Sequence, residues 1–152
     1  MQRILIEQIK ENIGQQIKIA GFVNTIRDQG SIKFLIIRDI SETIQVVVTK
    51  DNTEAMEIAK SLSLESVVEI TGLAKKENQA PGGVEIGAEK INILSSASPE
   101  LPIPIVEKGN EETDLQIRLD WRWLDLRRPE KMLIIKVWTL MEQAFREYWI
   151  SN

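Results

Sequence analysis

The sequence predicts an all-β domain, then an extended segment, then a C-terminal α-helix. Residues 1–95 contain short runs in which apolar and polar residues alternate, the period of a half-buried strand. Three prolines follow in quick succession, Pro99, Pro102 and Pro104, a pattern typical of an extended linker. After Pro129 neither glycine nor proline occurs, as expected of one uninterrupted helix.

Five strands are predicted, separated by turn signals. The first begins with Ile17, Ile19 and Val23 on one side, and the turn Gly30-Ser31 ends it. A loop rich in polar residues, which closes with Pro-Gly-Gly, separates the last two strands. The predicted strands are residues 16–29, 32–39, 43–49, 66–74 and 84–94.

One helix is predicted between the third and fourth strands. Residues 53–63 depart from alternation, with Met56 and Ala59 spaced for one buried face and Thr53 as the capping residue. Five strands with a helix in this place is the element order of the OB-fold, a five-stranded Greek-key barrel that binds oligonucleotides. A β-sandwich is the alternative that the strand pattern leaves open.

The composition excludes several kinds of site. The chain has no cysteine, which excludes disulfides, thiolate metal sites and a cysteine nucleophile, and no histidine, which excludes a Ser-His-Asp triad. No apolar run reaches the ~18 residues of a membrane span, and residues 1–14 lack the apolar core of a secretory signal. A net charge of −4 argues against nonspecific coating of nucleic acid. We expect a cytoplasmic protein without a membrane partner.

The C-terminal helix is expected over residues 130–150, after a linker at 95–116 that ends in an acidic run, 107–114. The apolar residues of the helix cover more than one face, so it must be buried against a surface outside this segment. Its main stripe consists of Ile134, Val137, Trp138, Met141, Phe145 and Tyr148.

Five segments, in this order and with these gaps, carry a resemblance to a known family. They are GFVNTIRDQGSIKFLIIRD (21–39), TIQVVV (43–48), APGGVEI (80–86), LPIP (101–104) and RLDWRWLDLRRPE (118–130). Together they are similar to the N-terminal part of an aspartyl-tRNA synthetase, a class II aminoacyl-tRNA synthetase, and the last segment is the most specific. The resemblance covers nearly the whole chain and favours the aspartyl type over the asparaginyl and lysyl types.

The resemblance implies three parts: an anticodon-binding OB-fold at 1–95, a hinge at 96–129, and the first helix of a truncated class II catalytic domain at 130–152. In the family, the motifs that hold ATP and form the aminoacyl-adenylate follow that helix, which itself belongs to the dimer interface. No catalytic or metal-binding residue is therefore implied here, and this chain alone should not aminoacylate. ATP, Mg²⁺ and a homodimer are implied for the complete enzyme.

Two residues are expected at the middle anticodon base. Phe34 matches the family phenylalanine that stacks on this base, and alternation places it opposite Leu35 and Ile37 on its strand. Gln45 matches the family glutamine that hydrogen-bonds the same base, and an amide supplies both a donor and an acceptor. From the residues alone, a core phenylalanine and a solvated glutamine stay open as alternatives.

Three further residues match family positions near the flanking nucleotides. Arg27 fits a basic residue at the end of the first strand, close to the anticodon phosphates or the first base. Asn24 occupies the outward position two residues after Phe22. Glu85 matches a glutamate that contacts the bases beside the middle one, where a carboxylate is costly unless it accepts a hydrogen bond. Ordinary surface polarity is the alternative for all three.

The loop at residues 79–83 bears on the choice of tRNA. Synthetases that charge only aspartate tRNA often carry a lysine near the position of Pro81, whereas asparaginyl and non-discriminating aspartyl enzymes carry APGG, as this chain does. The third anticodon base, C or U, separates the two tRNAs. The resemblance thus implies binding of tRNA(Asp) and also of tRNA(Asn), while a simple tight turn is the alternative.

The hinge arginines alternate with aspartates. In the family this segment packs between the domains and near the tRNA stem, so Arg127 and Arg128 are candidates for tRNA contact. Salt bridges with residues such as Asp120 and Asp125 are the alternative.

Three other identities stay open at this point. One is a free-standing OB-fold module that binds single-stranded nucleic acid. Another is a fragment of an asparaginyl-type synthetase. The third is an interaction module that dimerises through Trp138 and Phe145 of its terminal helix.

Overall fold

The computed structural model describes residues 2–106 and 113–152. Most of the acidic run at the end of the predicted linker, residues 107–112, lies outside the described residues. The chain divides into two compact units, Met1–Pro99 and Glu100–Asn152.

The first unit is a closed five-stranded barrel. The strands lie in the order β1-β2-β3-β5-β4, and β4 closes the ring by pairing with β1. All neighbours are antiparallel except β3 and β5, which run parallel. This confirms the predicted OB-fold. The elements are β1 (Gln16–Asp28), β2 (Ile32–Arg38), β3 (Thr43–Thr49), α1 (Thr53–Ser61), β4 (Val67–Lys76) and β5 (Val84–Ser95).

Aliphatic side chains fill the barrel because alternate residues of each strand face inward. On β2, for example, Leu35 and Ile37 are fully buried. A 3-10 helix that the sequence did not predict, Ile6–Asn12, adds Ile6 and Ile9 to this core. Asp39 holds that helix in place, because its Oδ2 accepts a hydrogen bond from the Ile6 amide at 2.9 Å.

The cap of α1 differs from the prediction. The capping residue is Asn52 rather than Thr53: its Oδ1 accepts a hydrogen bond from the Ala55 amide at 3.1 Å. The Nδ2 of Asn52 also donates to the Glu89 carbonyl at 2.6 Å. Asn52 therefore accepts a hydrogen bond from the first turn of α1 and also links that helix to β5. The link to β5 is a tertiary contact, which the spacing of residues in the sequence does not reveal.

Gly21 allows β1 to approach β2 closely. A Cβ atom at this position would lie 2.4 Å from the carbonyl oxygen of Arg38 and 2.9 Å from Cγ2 of Ile37. The obstacle is backbone, which cannot move aside as a flexible side chain can. Gly21 is thus required by packing rather than by its dihedral angles.

We expect Gly21→Ala to lower the free energy of unfolding of the barrel by about 2 kcal/mol or more, since overpacking against backbone cannot relax. Urea unfolding followed by NMR signals of the barrel methyl groups measures this. Gly87→Ala is the matched control, because there the nearest atom to the new Cβ, at 3.2 Å, is the Nζ end of Lys75. Equal stability of the two variants would contradict the assignment.

The second unit holds two short helices that the sequence did not predict within its hinge. They are α2 (Leu115–Asp120) and α3 (Arg122–Asp125). Asp114 caps α2 by accepting a hydrogen bond from the Gln116 amide at 2.9 Å. A small apolar cluster of Leu101, Ile103, Ile105 and Leu124 packs beneath α3.

Asp125 is fully buried and organises this hinge. Its Oδ1 accepts a hydrogen bond from Arg118 Nε at 3.1 Å and lies 3.6 Å from Arg128 Nε, while Arg122 binds Oδ2. Burial alone would raise the pKa of Asp125, but the Arg118 hydrogen bond and the three positive charges lower it below its usual value.

The pKa of Asp125 is lower in the folded chain than in the unfolded chain, where it is about 4. Ionised Asp125 therefore stabilises the fold above about pH 4, and that stabilisation is lost as the pH falls below this value. Asp125→Asn should therefore destabilise the second unit by about 3 kcal/mol at pH 7 and flatten its acid dependence. Tryptophan fluorescence reports on this unit, since all 4 tryptophans follow residue 120. Asp120→Asn, at an exposed position, is the control; identical acid profiles for both variants would refute the expectation.

The predicted C-terminal helix is confirmed as α4 (Pro129–Ser151). Most of its apolar side chains are exposed, Trp149 and Ile150 most of all. Neither α4 nor any other helix within 2–106 and 113–152 has the length and apolarity to cross a membrane.

Candidate nucleic-acid interface

The outer face of β1, β2, β3 and β5 brings four of the six predicted anticodon residues, Arg27, Phe34, Gln45 and Glu85, into two neighbouring rows. The strand register defines each row across the sheet. The first row consists of Arg27, Phe34, Val47 and Gly87. The second row consists of Thr25, Ile36, Gln45 and Glu85.

Phe34 lies on the outer face of β2 and is half-buried. Its neighbours along the strand, Lys33 and Leu35, point inward, and the ring is not part of the barrel core. Strand alternation accounts for this position, because Phe34 is out of phase with the buried residues Leu35 and Ile37. One part of the ring is therefore held by the sheet while another part meets solvent.

Gln45 and Glu85 form a hydrogen-bonded pair beside this ring. Gln45 lies on the face opposite Ile44 and Val46, yet it is only 8% exposed. Its Nε2 donates to Oε2 of Glu85 at 3.1 Å, across the parallel pairing of β3 and β5. This bond orients the amide and uses one of its two N–H donors, so its oxygen and second N–H can meet the edge of a base.

Arg27 is exposed at the end of β1, directly opposite Phe34 in the strand register. The next residue, Asp28, is bound by Lys33 and by the Gly30 amide. The Lys33 hydrogen bond, helped by that amide, lowers the pKa of Asp28 below its usual value. The carboxylate of Asp28 thus stabilises the turn after β1 through these two hydrogen bonds. Arg27 provides a positive charge at this edge of the outer face.

Asn24 lies at a β-bulge in β1 and is engaged within the protein. Its Oδ1 accepts a hydrogen bond from Arg38 at 2.6 Å. Arg38 also pairs with Glu65 at 2.9 Å, and its guanidinium lies 5.4 Å from the centre of the Phe22 ring. Asn24 therefore supports the end of the outer face through Arg38, rather than presenting an uncommitted amide.

Sequence reasoning missed Arg38 and Glu65. Glu65 is buried and adopts a left-handed backbone angle, φ 64°, which glutamate rarely does. Its amide donates to the Val23 carbonyl at 2.7 Å. No local pattern predicts a buried glutamate in this conformation, because its partner Arg38 lies 27 residues away in the chain.

Pro81 is exposed in the turn that leads into β5. The turn, Pro81–Gly83, is tight because Gly82 and Gly83 both take positive φ angles, 78° and 75°. It contacts β3, and Glu85 follows two residues after it. Pro81 is therefore at the Gln45–Glu85 end of the outer face, and the turn is both structural and adjacent to the candidate site.

The two hinge arginines have different environments within the second unit. Arg128 is 1% exposed and donates to the Pro104 carbonyl at 2.9 Å, so it lies in the interior of the hinge. Of the two alternatives, its environment favours the salt bridge, made with Asp125. Arg127 is half-buried, with its guanidinium 5.0 Å from the centre of the Trp123 ring.

Within residues 2–106 and 113–152, no three acidic side chains lie close enough together to hold a metal ion. The outer face of the barrel instead combines a ring, an amide–carboxylate pair and an arginine, which is the chemistry of base stacking and edge recognition.

Comparison with known proteins agrees with this chemistry. The family model described as an OB-fold nucleic acid binding domain, tRNA anti-codon, matches residues 17–94. Aspartate–tRNA(Asp/Asn) ligase of Sulfurisphaera tokodaii is 42% identical over 88% of this chain and 30% of its own length. The corresponding ligase of Methanosarcina barkeri is 39% identical over 94% of this chain and 32% of its own length.

Solved structures show the same relationship. Asparaginyl-tRNA synthetase from Pyrococcus horikoshii, complexed with asparaginyl-adenylate, is 32% identical with a TM-score of 0.86, covering 99% of this chain and 35% of that one. Aspartyl-tRNA synthetase from Entamoeba histolytica, 24% identical with a TM-score of 0.88 over 99% of this chain and 38% of that one, shares the fold. The chain spans about a third of the length of the curated relatives it matches. On the match over residues 17–94, the chain belongs to the tRNA anti-codon family of OB-fold nucleic acid binding domains.

Proposed function

We propose that this chain binds the anticodon loop of tRNA on the outer face of β1, β2, β3 and β5. The observation that carries the proposal is the position of Phe34: a half-buried aromatic side chain outside the core, one strand away from Gln45. An aliphatic residue would serve the barrel equally well there, whereas a stacked base needs a ring.

The two rows suit one everted base. Its flat face stacks on Phe34, and its edge meets the Gln45 amide, whose orientation Glu85 fixes. Uracil offers an acceptor, a donor and an acceptor along that edge, which an amide can match in part. Arg27 lies on the other side of the ring, where a phosphate would meet its charge.

The names of the relatives extend the proposal to the complete enzyme. We propose that it is a cytoplasmic aspartate–tRNA ligase that uses ATP and Mg²⁺, acts as a homodimer and charges both tRNA(Asp) and tRNA(Asn). In this view residues 1–95 bind the anticodon, 96–129 form the hinge, Arg127 lies towards the tRNA stem, and 130–152 begin the catalytic domain. The APGG turn at Pro81 and the Asp/Asn ligases among the relatives support the dual specificity.

An asparaginyl-type enzyme is the second candidate. Its support is the 32% identity to the asparaginyl-tRNA synthetase of Pyrococcus horikoshii. Both candidates read the same first two anticodon bases, so they predict the same use of Phe34 and Gln45.

Phe34→Leu should weaken binding of an anticodon stem-loop by about 1 to 3 kcal/mol, roughly 5- to 150-fold, because the aliphatic side chain fills the same space but cannot stack. Titration of a labelled GUC stem-loop measures this, with thermal unfolding to show that the barrel persists. Phe34→Tyr keeps the ring and is the matched control, which should bind within about threefold of the wild type. Equal affinity of the leucine and tyrosine variants would remove Phe34 from the site.

Stem-loops that end the anticodon in C or U test the dual specificity. We expect GUC and GUU loops to bind with affinities that differ by less than about 30-fold, roughly 2 kcal/mol, because the turn at Pro81 carries no lysine to single out one base. A lysine-tRNA stem-loop, UUU, is the control and should bind more weakly than either.

Each outcome of that comparison has a distinct meaning. A larger preference for GUC would indicate an enzyme restricted to tRNA(Asp), and a larger preference for GUU would indicate the asparaginyl type. Equal binding of all three loops would indicate a free-standing module for single-stranded nucleic acid.

A further inference from the structure

We propose that Lys75 binds a backbone phosphate of the RNA beside the base that stacks on Phe34, and that the absence of a side chain at Gly87 creates the place for it. The inference rests on the proposed function and adds to it a contact from β4, outside the six residues expected at the anticodon.

Lys75 points to the same outer face as the candidate site. Along β4 the residues Val68, Ile70 and Ala74 are buried, so alternation directs Lys75 outward, and it is exposed. In the pairing of β4 with β5, Lys75 lies opposite Glu85. It therefore extends the second row of the outer face by one strand.

The side chain of Lys75 leans over Gly87 into the first row. A Cβ atom built on Gly87 would lie 3.2 Å from Nζ of Lys75 and 3.4 Å from its Cε. The ammonium group thus lies beside the space that a side chain at Gly87 would fill, and Gly87 pairs with Val47. Phe34 lies two strands further on, which at ordinary strand spacing is about 10 Å, the scale of one nucleotide from base to phosphate.

The charges around Lys75 favour a phosphate as its ligand. No carboxylate within the described part of the chain forms an ion pair with its ammonium group, Glu85 included. Glu85 is held by Gln45, and its negative charge repels RNA unless a cation compensates. Arg27 supplies one positive charge at the β1 edge of the first row, and Lys75 supplies a second at the β5 edge, so the stacked base would lie between two cations.

The salt dependence of RNA binding distinguishes a lysine that contacts a phosphate from one that does not. Neutralising one phosphate of a single strand contributes about 0.7 to the slope of log affinity against log salt concentration. A contact to a base edge, or a lysine that only solubilises the face, contributes no such step. The slope therefore reports the chemistry of the contact as well as its existence.

The test measures binding of the GUC stem-loop to the 152-residue chain from 0.05 to 0.3 M KCl. Lys75→Gln should weaken binding on the order of fivefold at 0.1 M and reduce the slope by about 0.7. Lys75→Arg should retain both, because a guanidinium also binds phosphate. Lys76→Gln is the matched control: the same charge change at the next residue of β4, whose alternation carries it away from Gly87.

Three results would overturn the inference. If Lys75→Gln keeps the wild-type slope, or changes it no more than Lys76→Gln does, Lys75 does not bind phosphate. If Lys75→Gln lowers affinity at an unchanged slope, the contact is to a base. If the wild-type chain binds none of the stem-loops, the proposed function fails and takes this inference with it, whereas the first two results leave that function intact.

Discussion

Closure of the barrel depends on β1 changing its hydrogen-bonding partner along its length. From Gln16 to Phe22 the strand pairs with β4, and from Phe22 to Asp28 it pairs with β2. Gly21 lets the backbones approach at this transition, and the bulge at Asn24 bends the strand just beyond it. Without this transition the ring would stay open, and without the register shift at the bulge Arg27 would not lie opposite Phe34.

The division of each strand into two faces was readable from the sequence. Strict alternation in β2 placed Leu35 and Ile37 inside and Phe34 outside, and the structure shows the same division. Element order was also informative, because the helix between β3 and β4 favoured the OB-fold over a β-sandwich, and the closed ring of strands then confirmed it. These features follow from a period of two and from turn residues, which are local properties of the chain. The roles proposed for Phe34 and Gln45 came instead from the family resemblance, since a phenylalanine on a strand is as easily a core residue.

Features that depend on distant partners were not readable. The choice of Asn52 over Thr53 as the helix cap reflects its second bond to Glu89 on β5. The short helices of the hinge form around Asp125, whose arginine partners could equally have been solvated. The burial of Gln45 follows from its pairing with Glu85, and Asn24 is engaged by Arg38. For Gln45 and Asn24, alternation gave the direction of the side chain. In all four cases a residue elsewhere in the chain decided what the side chain contacts.

The parallel pairing of β3 with β5 affects the order in which the parts of the outer face come together during folding. The β1–β2 and β2–β3 hairpins that place Phe34 near Gln45 are local, whereas Gln45 and Glu85 are 40 residues apart, with α1, β4 and the turn at Pro81 between them. Bringing such distant segments together costs chain entropy before any contact compensates for it. A nascent or partly unfolded chain can thus hold Phe34 and Gln45 side by side without the Glu85 carboxylate that orients the amide. Under the proposed function, selectivity for the base would then appear later in folding than the ability to stack it.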